Sequence, residues 1–164
     1  MNNKDILIFT DLDGSLLNHK NFEFNTIKPF ILKCLRNNIR IIPNTSKTKN
    51  EVEFFSEQLG VDIPFIVENG SAIHNLDLVC SHFDKNIKSL ILSRTANEIF
   101  EIFNNKVPLS LRNQCLFLKD MNASKQSKVL GLNGEQLTSA LNRLYSIPLI
   151  LSLIHISEPT RQEA

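Results

Sequence analysis

The segment Phe9-Thr10-Asp11-Leu12-Asp13-Gly14-Ser15-Leu16-Leu17-Asn18 indicates the type of fold, and its first residue ends the apolar run Ile6 to Phe9. A short, nearly continuous apolar run is typical of a strand buried on both faces of a parallel sheet covered by helices. Two carboxylates, Asp11 and Asp13, therefore stand at the end of a predicted strand. Ligands of open parallel sheets bind beyond the carboxyl ends of the strands, so this pair is the first candidate for a functional site.

The segments after this stretch alternate between helix and strand patterns. Pro29 suits the first turn of a helix that Asn37-Asn38 would close, and Ile39 to Ile42 reads as the second strand. A capping box at Thr48 to Glu51 begins a helix that Gly60 would end, and Phe65 to Val67 is the third strand. This order predicts an α/β fold, the N-terminal half of a Rossmann-like, doubly wound parallel sheet.

The pattern changes after His74, where short helices and a strand predict a second, α+β unit inserted as a cap. These elements are predicted at Asn97 to Asn104, Ala123 to Leu130, Glu135 to Leu144 (helices) and Cys115 to Leu118 (strand). We expect the first unit to span residues 1–80 and the second 81–150, with a separate tail at 151–164.

Composition narrows the classes of partner and the compartment. Lys and Arg number 18 against 17 Asp and Glu, so there is no strong field to attract nucleic acid or an anionic membrane. The odd number of cysteines and the absence of C-x-x-C favour reduced thiols. The N-terminus shows no signal-peptide pattern, and the apolar run Ile147 to Ile156 is too short to span a bilayer. We expect a cytoplasmic protein; the sequence leaves its oligomeric state open.

Polar residues also follow the other two predicted strands. Thr45-Ser46 comes after the second strand and Glu68 to Gly70 after the third. Neighbouring strand ends of a parallel sheet meet at one edge, so these groups and the two acids are expected over one crevice. Asp11 and Asp13 repel each other unless a cation lies between them or one takes a proton, which predicts Mg²⁺ bound through oxygen.

This set of groups suits phosphoryl transfer. A carboxylate beside Mg²⁺ can attack a phosphoryl group, while a second acid protonates the leaving oxygen and later activates water. Thr45, near the start of the helix capped by Thr48, would offer a hydroxyl and backbone N–H groups to the phosphoryl oxygens.

The D-x-D-G-[ST] pattern after an apolar strand resembles the first motif of the haloacid dehalogenase superfamily of phosphohydrolases. The resemblance implies that Asp11 is the nucleophile and a metal ligand. It implies that Asp13 is the acid/base and a second metal ligand through its backbone carbonyl. Thr45 matches the second motif, and we expect phosphate binding at Thr45, Ser46 and Gly14.

Two segments narrow the resemblance. Ile42-Pro43-Asn44-Thr45-Ser46-Lys47-Thr48 and Pro64 to Gly70 are similar to the C-T-S-K-T and P-F-I-V-E-N-G patterns of mannosyl-3-phosphoglycerate phosphatases. Arg143-x-Tyr145-Ser146-x-Pro148 resembles their R-E-[YF]-S-E-P, although Leu144 and Ile147 replace its two acids. The resemblance implies a small sugar phosphate as substrate, most specifically mannosyl-3-phosphoglycerate, with contacts from Lys47, Asn69 and Arg143. Sucrose phosphate and glucosyl-3-phosphoglycerate are the alternatives.

The superfamily also uses a Lys and a G-D-x-x-x-D type motif after the cap, and the 164 residues contain neither there. The segment Leu151 to Arg161 resembles translated sequencing-adapter read-through, so we expect residues 151–164 to be a non-native tail. The chain is then a fragment of a phosphatase, itself inactive and at most a weak metal binder. A phospho-accepting signalling module is a further alternative, against which the second acid argues.

Overall fold

The computed structural model describes residues 6–18, 23–79 and 87–151. Its strands are β1 (Ile6–Thr10), β2 (Ile39–Pro43), β3 (Phe65–Val67), β4 (Ala72–His74), β5 (Ser89–Ile91), β6 (Cys115–Phe117) and β7 (Leu149–Leu151). Its helices are α1 (Lys28–Arg36), α2 (Lys49–Leu59), α3 (Ala96–Lys106), α4 (Leu109–Arg112), α5 (Ala123–Leu130) and α6 (Gly134–Leu141). Residues 152–164 of the predicted tail lie outside the described residues.

The first unit begins as the predicted parallel sheet. β1 pairs with β2 in parallel, from Ile6 opposite Ile39 to Thr10 opposite Pro43, and α1 connects the two strands. A parallel bridge between Asn44 and Ile66 links the end of β2 to β3. The α/β class is therefore confirmed, and the three predicted strand ends lie side by side.

The sheet continues beyond β3 in a way that periodicity did not show. β3, β4 and β5 form an antiparallel sheet in that order. β4 and β5 were not among the predicted strands, and each spans only three residues. β5 follows the expected boundary at residue 81, yet it extends the sheet of the first unit.

Helix α2 follows the rules read from its sequence. Thr48 and Glu51 form both hydrogen bonds of a capping box, and Gly60 ends the helix with φ +82°. Gly60 suits this position because left-handed backbone costs a residue without a Cβ little. The core beneath the sheet ends is a set of buried apolar side chains: Leu12, Leu16, Leu17, Phe24, Ile31, Cys34, Ile41, Val52, Phe55, Leu59, Ile63, Phe65, Val67 and Ala72.

The prediction that β1 is buried on both faces is wrong for the described residues. Ile6 is 53% exposed and Phe9 is 59% exposed. Among those residues β1 has one neighbouring strand, β2, so its other edge and much of its side-chain surface meet solvent. Burial of a central strand depends on neighbours from elsewhere in the chain, which a local pattern does not report.

The second unit contains α3 to α6 with the antiparallel pair β6–β7. The helix predicted from Glu135 to Leu144 ends at Leu141, and Asn142 caps it. Leu144 is not helical because its N–H donates to the side chain of Glu68 instead of continuing the helix. Leu151, assigned to the tail, pairs with Cys115 in this sheet.

Within residues 6–18, 23–79 and 87–151, no helix has the length and apolar character needed to cross a membrane.

Candidate active site

The turn after β1 holds the two acids in place through the buried residue between them. Leu12, between them, is fully buried, whereas Asp11 is exposed and Asp13 is half-buried. The Asp11 carboxylate accepts a hydrogen bond of 2.7 Å from the N–H of Leu12. Gly14 has φ +74° and donates its N–H to the carbonyl of Leu17 at 2.8 Å, closing the turn. The N–H of Gly14 is thus engaged within its own turn, and a role for Gly14 in phosphate binding stays a prediction.

An open crevice of about 580 Å³ lies at the carboxyl ends of β1, β2 and β3. Each of the three strand ends contributes to its lining, with residues Phe9, Thr10, Asp11, Asn44, Thr45, Ser46, Asn69 and Gly70. The three strand ends therefore meet at one crevice as expected, although Asp13 and Glu68, which were expected over it as well, are not among its lining residues. Asp11 and three of the predicted phosphate or substrate contacts meet there.

Thr45 is fixed by contacts on both sides. The residue is buried, its N–H donates to the carbonyl of Ile66 at 3.1 Å, and its carbonyl accepts from the N–H of Asn69 at 3.0 Å. Its Oγ1 accepts from the N–H of Lys47 at 3.2 Å. Because the Thr45 N–H is already donated to β3, the hydroxyl is the Thr45 group that remains suited to an anion in the crevice.

Asp13 faces a cation rather than open solvent. Lys47 Nζ lies 3.2 Å from Asp13 Oδ1 and 3.2 Å from Glu51 Oε1, with little exposure of either side chain of the Lys47–Glu51 pair. The ammonium group thereby compensates two carboxylates at the start of α2. Lys47 was predicted to contact substrate, and the structure places it on the predicted acid/base.

Arg143 reaches the crevice from the second unit. Its Nη1 donates to the carbonyl of Ser46 at 3.2 Å and to Ser146 Oγ at 3.0 Å. Ser46 lines the crevice, so a guanidinium group from the segment after α6 stands at its rim. The helix predicted from Glu135 to Leu144 included Arg143, and this contact instead depends on the non-helical backbone after Leu141.

The side-chain oxygens after β1 are potential ligands for magnesium. Mg²⁺ is held in proteins by one or two carboxylates and keeps several waters. Asp11 offers an exposed carboxylate, and the buried Asp13 Oδ1 receives no hydrogen bond, although Lys47 is close to it. In the parts of the chain that the structure describes, no group of three or more His, Cys, Asp or Glu side chains is arranged to hold a metal. The oxygen donors are of the kind that Mg²⁺ would take, and waters would have to supply most of its ligands.

A family comparison agrees with this geometry. Residues 8–128 match the family model described as haloacid dehalogenase-like hydrolase. The chain belongs to this family. The match includes the acids after β1, the loop after β2 and the turn after β3.

Relatives of this haloacid dehalogenase-like hydrolase are phosphatases by name. A glucosyl-3-phosphoglycerate/mannosyl-3-phosphoglycerate phosphatase of Persephonella marina is 47% identical over 68 residues, covering 42% of this chain and 25% of the relative. A protein of the same name from Methanococcoides burtonii is 35% identical over 101 residues, covering 62% and 33%. A mannosyl-3-phosphoglycerate phosphatase of Pyrococcus furiosus is 41% identical over 68 residues, covering 42% and 27%. The chain therefore spans about a quarter to a third of the curated relatives that it matches, and its lineage is one of phosphoric monoester hydrolases.

Solved structures support the fold. A haloacid dehalogenase-like hydrolase from B. subtilis superposes with a TM-score of 0.52 at 22% identity, covering 75% of this chain and 42% of that one. One from Bacteroides thetaiotaomicron gives 0.53 at 15% identity, covering 86% and 56%. The haloacid dehalogenase-like fold is thus shown by structure as well as by the family model.

Sequence reasoning assigned Glu68 no individual role beyond a place over the crevice with the other strand-end groups. It is not among the lining residues, and the structure buries it at 2% exposure against the second unit. The sequence did contain a signal for Glu68. Asn69 and Gly70 are sufficient to form the turn after β3, so the turn does not explain the acid that precedes them. Its partners lie more than 70 residues away, so no local pattern identifies them.

Proposed function

We propose that this chain is part of a Mg²⁺-dependent phosphomonoesterase that acts in the cytoplasm on mannosyl-3-phosphoglycerate. The second unit serves as its cap over the crevice. The observation that carries the proposal is the crevice itself, where Asp11 stands beside Thr45, Ser46 and Asn69 at three adjacent strand ends. The chain's own contribution is the nucleophile, the acid/base and part of the phosphate site.

Asp11 is suited to nucleophilic attack. Its carboxylate is exposed at the crevice, and one of its oxygens is held by the N–H of Leu12. The other oxygen attacks phosphorus, the bond from phosphorus to the sugar-acid oxygen breaks, and an aspartyl phosphate forms. The Thr45 hydroxyl is placed to donate to a phosphoryl oxygen, which stabilises the charge that develops there.

Asp13 serves both proton transfers. It gives a proton to the departing oxygen in the first step, and it takes one from the water that attacks the acyl phosphate in the second. That water releases inorganic phosphate and restores the Asp11 carboxylate. Lys47, 3.2 Å from Asp13 Oδ1, fixes the direction of this carboxyl group between the two steps.

Asp11 and Asp13 are the residues that would hold Mg²⁺, the latter through its backbone carbonyl as the family motif implies. When bound, the ion supplies positive charge against the phosphoryl oxygens and the attacking carboxylate.

A second candidate substrate is glucosyl-3-phosphoglycerate. Two of the phosphatases matched by this chain carry both substrates in their names. Mannose and glucose differ in the direction of one hydroxyl group, and discrimination at this level requires hydrogen bonds to that hydroxyl.

The test is phosphoryl uptake by the 164-residue chain. The chain is incubated with Mg²⁺ and either p-nitrophenyl phosphate or mannosyl-3-phosphoglycerate, quenched in acid, and analysed by intact-mass and peptide mass spectrometry. We expect a substoichiometric phosphoryl adduct on Asp11 and little release of inorganic phosphate. Asp11→Asn removes the adduct. With p-nitrophenyl phosphate, whose leaving group departs without a proton, Asp13→Asn makes the adduct accumulate because the base needed for its hydrolysis is gone; with mannosyl-3-phosphoglycerate the same variant also slows its formation.

An adduct that persists in Asp11→Asn would contradict the assignment of the nucleophile. Equal adducts from mannosyl-3-phosphoglycerate and from sucrose 6-phosphate would contradict the assigned substrate and leave the phosphatase chemistry standing. Robust Mg²⁺-dependent turnover would show that the chain is not an inactive fragment. Asp62→Asn, which changes an exposed acid in the connection before β3, is the matched control and should behave as wild type.

A further inference from the structure

The buried carboxylate of Glu68 is satisfied by one short segment of the second unit. Glu68 Oε1 accepts the N–H of Leu144 at 3.0 Å, and Oε2 accepts the N–H of Tyr145 at 3.1 Å. Oε2 also accepts the hydroxyl of Ser146 at 2.5 Å. A buried carboxylate without donors is strongly unfavourable, so three donors from consecutive residues bind this segment to the end of β3.

The backbone around Glu68 is held in an uncommon conformation. Glu68 has φ +47° and Asn69 has φ +60°, both in the left-handed region. Glu68 donates its N–H to the carbonyl of Lys47 at 2.9 Å, and Asn69 donates to the carbonyl of Thr45 at 3.0 Å. The turn is therefore bonded to the loop after β2 through its backbone and to the second unit through its carboxylate. Strained residues persist where the surrounding structure fixes them, and they concentrate at functional sites.

The hydrogen bonds continue from Glu68 to the crevice. Ser146 gives its proton to Glu68, and its Oγ accepts from Arg143 Nη1 at 3.0 Å. The same guanidinium nitrogen donates to the carbonyl of Ser46 at 3.2 Å, and Ser46 lines the crevice. The direction of the Ser146 hydroxyl determines whether its lone pair faces Arg143. Glu68 determines that direction.

We propose that Glu68 is a positioning residue, which holds the segment Leu144 to Ser146 so that Arg143 is fixed against Ser46 at the rim of the crevice. It does not touch the reacting atoms. The effect of Glu68 on anion binding rests on the proposed function, because that function supplies the anion. The effect of Glu68 on the position of Arg143 does not depend on the proposed function.

The chain contains a built-in reporter of this contact. It has one Tyr and no Trp, so its tyrosine fluorescence comes from Tyr145, whose N–H is bonded to Glu68. The Arg143 guanidinium is reported separately by its Nε–H and Nη–H signals in ¹⁵N NMR. These two readouts distinguish the attachment of the segment from the placement of the cation.

Three variants of the whole chain give different expected signatures. Glu68→Gln keeps the size of the side chain but replaces one acceptor by a donor that faces N–H groups. It should increase acrylamide quenching of Tyr145 and average the Arg143 guanidinium signals. Ser146→Ala keeps both backbone hydrogen bonds to Glu68, so it should alter the Arg143 signals and leave Tyr145 quenching near wild type. Ser71→Ala, which loses a hydrogen bond to the Glu68 carbonyl only, should alter neither.

Unchanged Arg143 signals in Glu68→Gln would overturn the proposal, and so would equal effects of Ser71→Ala and Glu68→Gln. If Glu68→Gln unfolds the chain, the test rests on Ser146→Ala. Unchanged Arg143 signals in Ser146→Ala would also overturn the proposal. A titration with inorganic phosphate, followed by the amide shift of Ser46, then tests the functional consequence. We expect about tenfold weaker binding in Glu68→Gln, the loss of about one charge-assisted hydrogen bond. Absence of phosphate binding in wild type would count against the proposed function, and the Arg143 signals would still decide the positioning role.

Discussion

Removing the side-chain cap of α2 should lower the free energy of unfolding more than removing the equivalent cap of α3. Thr48 and Thr95 begin the two helices with the same capping box, and each Oγ1 accepts the N–H of a Glu three residues later at 3.3 Å. The environments differ, because Thr48 is fully buried and Thr95 is exposed. Thr48 Oγ1 also donates to the carbonyl of Ser139 in α6 at 2.9 Å, joining the two units.

The magnitude follows from this comparison. Loss of an N-cap hydroxyl typically costs about 1 kcal/mol, which is our expectation for Thr95→Ala. Thr48→Ala also loses a hydrogen bond and leaves the Ser139 carbonyl without this donor, which adds about 1–2 kcal/mol. We therefore expect Thr48→Ala to lower the free energy of unfolding by about 2–3 kcal/mol.

Urea unfolding followed by far-UV circular dichroism, with linear extrapolation, measures both variants in one assay. Thr48→Ser, which keeps the hydroxyl and loses a methyl group, separates hydrogen bonding from packing and should recover most of the loss. Equal destabilisation by Thr48→Ala and Thr95→Ala would refute the reasoning, since the contact with Ser139 would then contribute nothing measurable.

Three further changes test other parts of the fold. Burial and the nearby Lys49 lower the pKa of His74 below 6.5, so the unfolded chain binds the proton more readily than the folded one. The contribution of His74 to stability is therefore full above about pH 6.5 and should fall as the pH drops below that value. His74→Gln should remove this pH dependence from the urea unfolding midpoints. Gly60→Ala should lower the free energy of unfolding by about 1–2 kcal/mol through left-handed backbone strain alone, since a Cβ there meets no atom within 4 Å. Gly60→Asn should lower it less, because Asn tolerates this backbone conformation better than Ala, and the difference between the two variants tests the argument. Leu12→Ala, at a fully buried position between the two acids, should cost about 2–5 kcal/mol, and a loss below that range would mean that the turn after β1 is not anchored by packing.

Much of the first unit was predictable because its signals are local. The capping box at Thr48, the stop at Gly60 and the strand at Phe65–Val67 each depend on residues within a few positions of one another. The acids after β1 were predictable for the same reason, because two carboxylates directly after an apolar strand are recognised as a candidate site from neighbouring residues alone. The crevice that Asp11 shares with Thr45 and Asn69 followed from the general behaviour of parallel sheets.

Other features depended on distant partners. β1 was predicted to be buried, yet its exposure is set by how many strands lie beside it. The helix ending at Leu141 was predicted to continue because its apolar spacing continues, but the N–H of Leu144 is bonded to Glu68. Lys47 was predicted to face substrate, and its place beside Asp13 follows from the packing of two loops.

The identity and order of the chemical groups follow from the sequence alone: a carboxylate after the first strand, a second acid two residues later, and a hydroxyl after the next strand. Local chemistry is sufficient for this, because strand ends, caps and turns are specified by neighbouring residues. Only the tertiary structure decided which charges meet, placing Lys47 on Asp13, Glu68 under Leu144 to Ser146, and Arg143 against Ser46. Those contacts join residues far apart in the chain, and their energy depends on burial and direction, which exist only once the chain has folded.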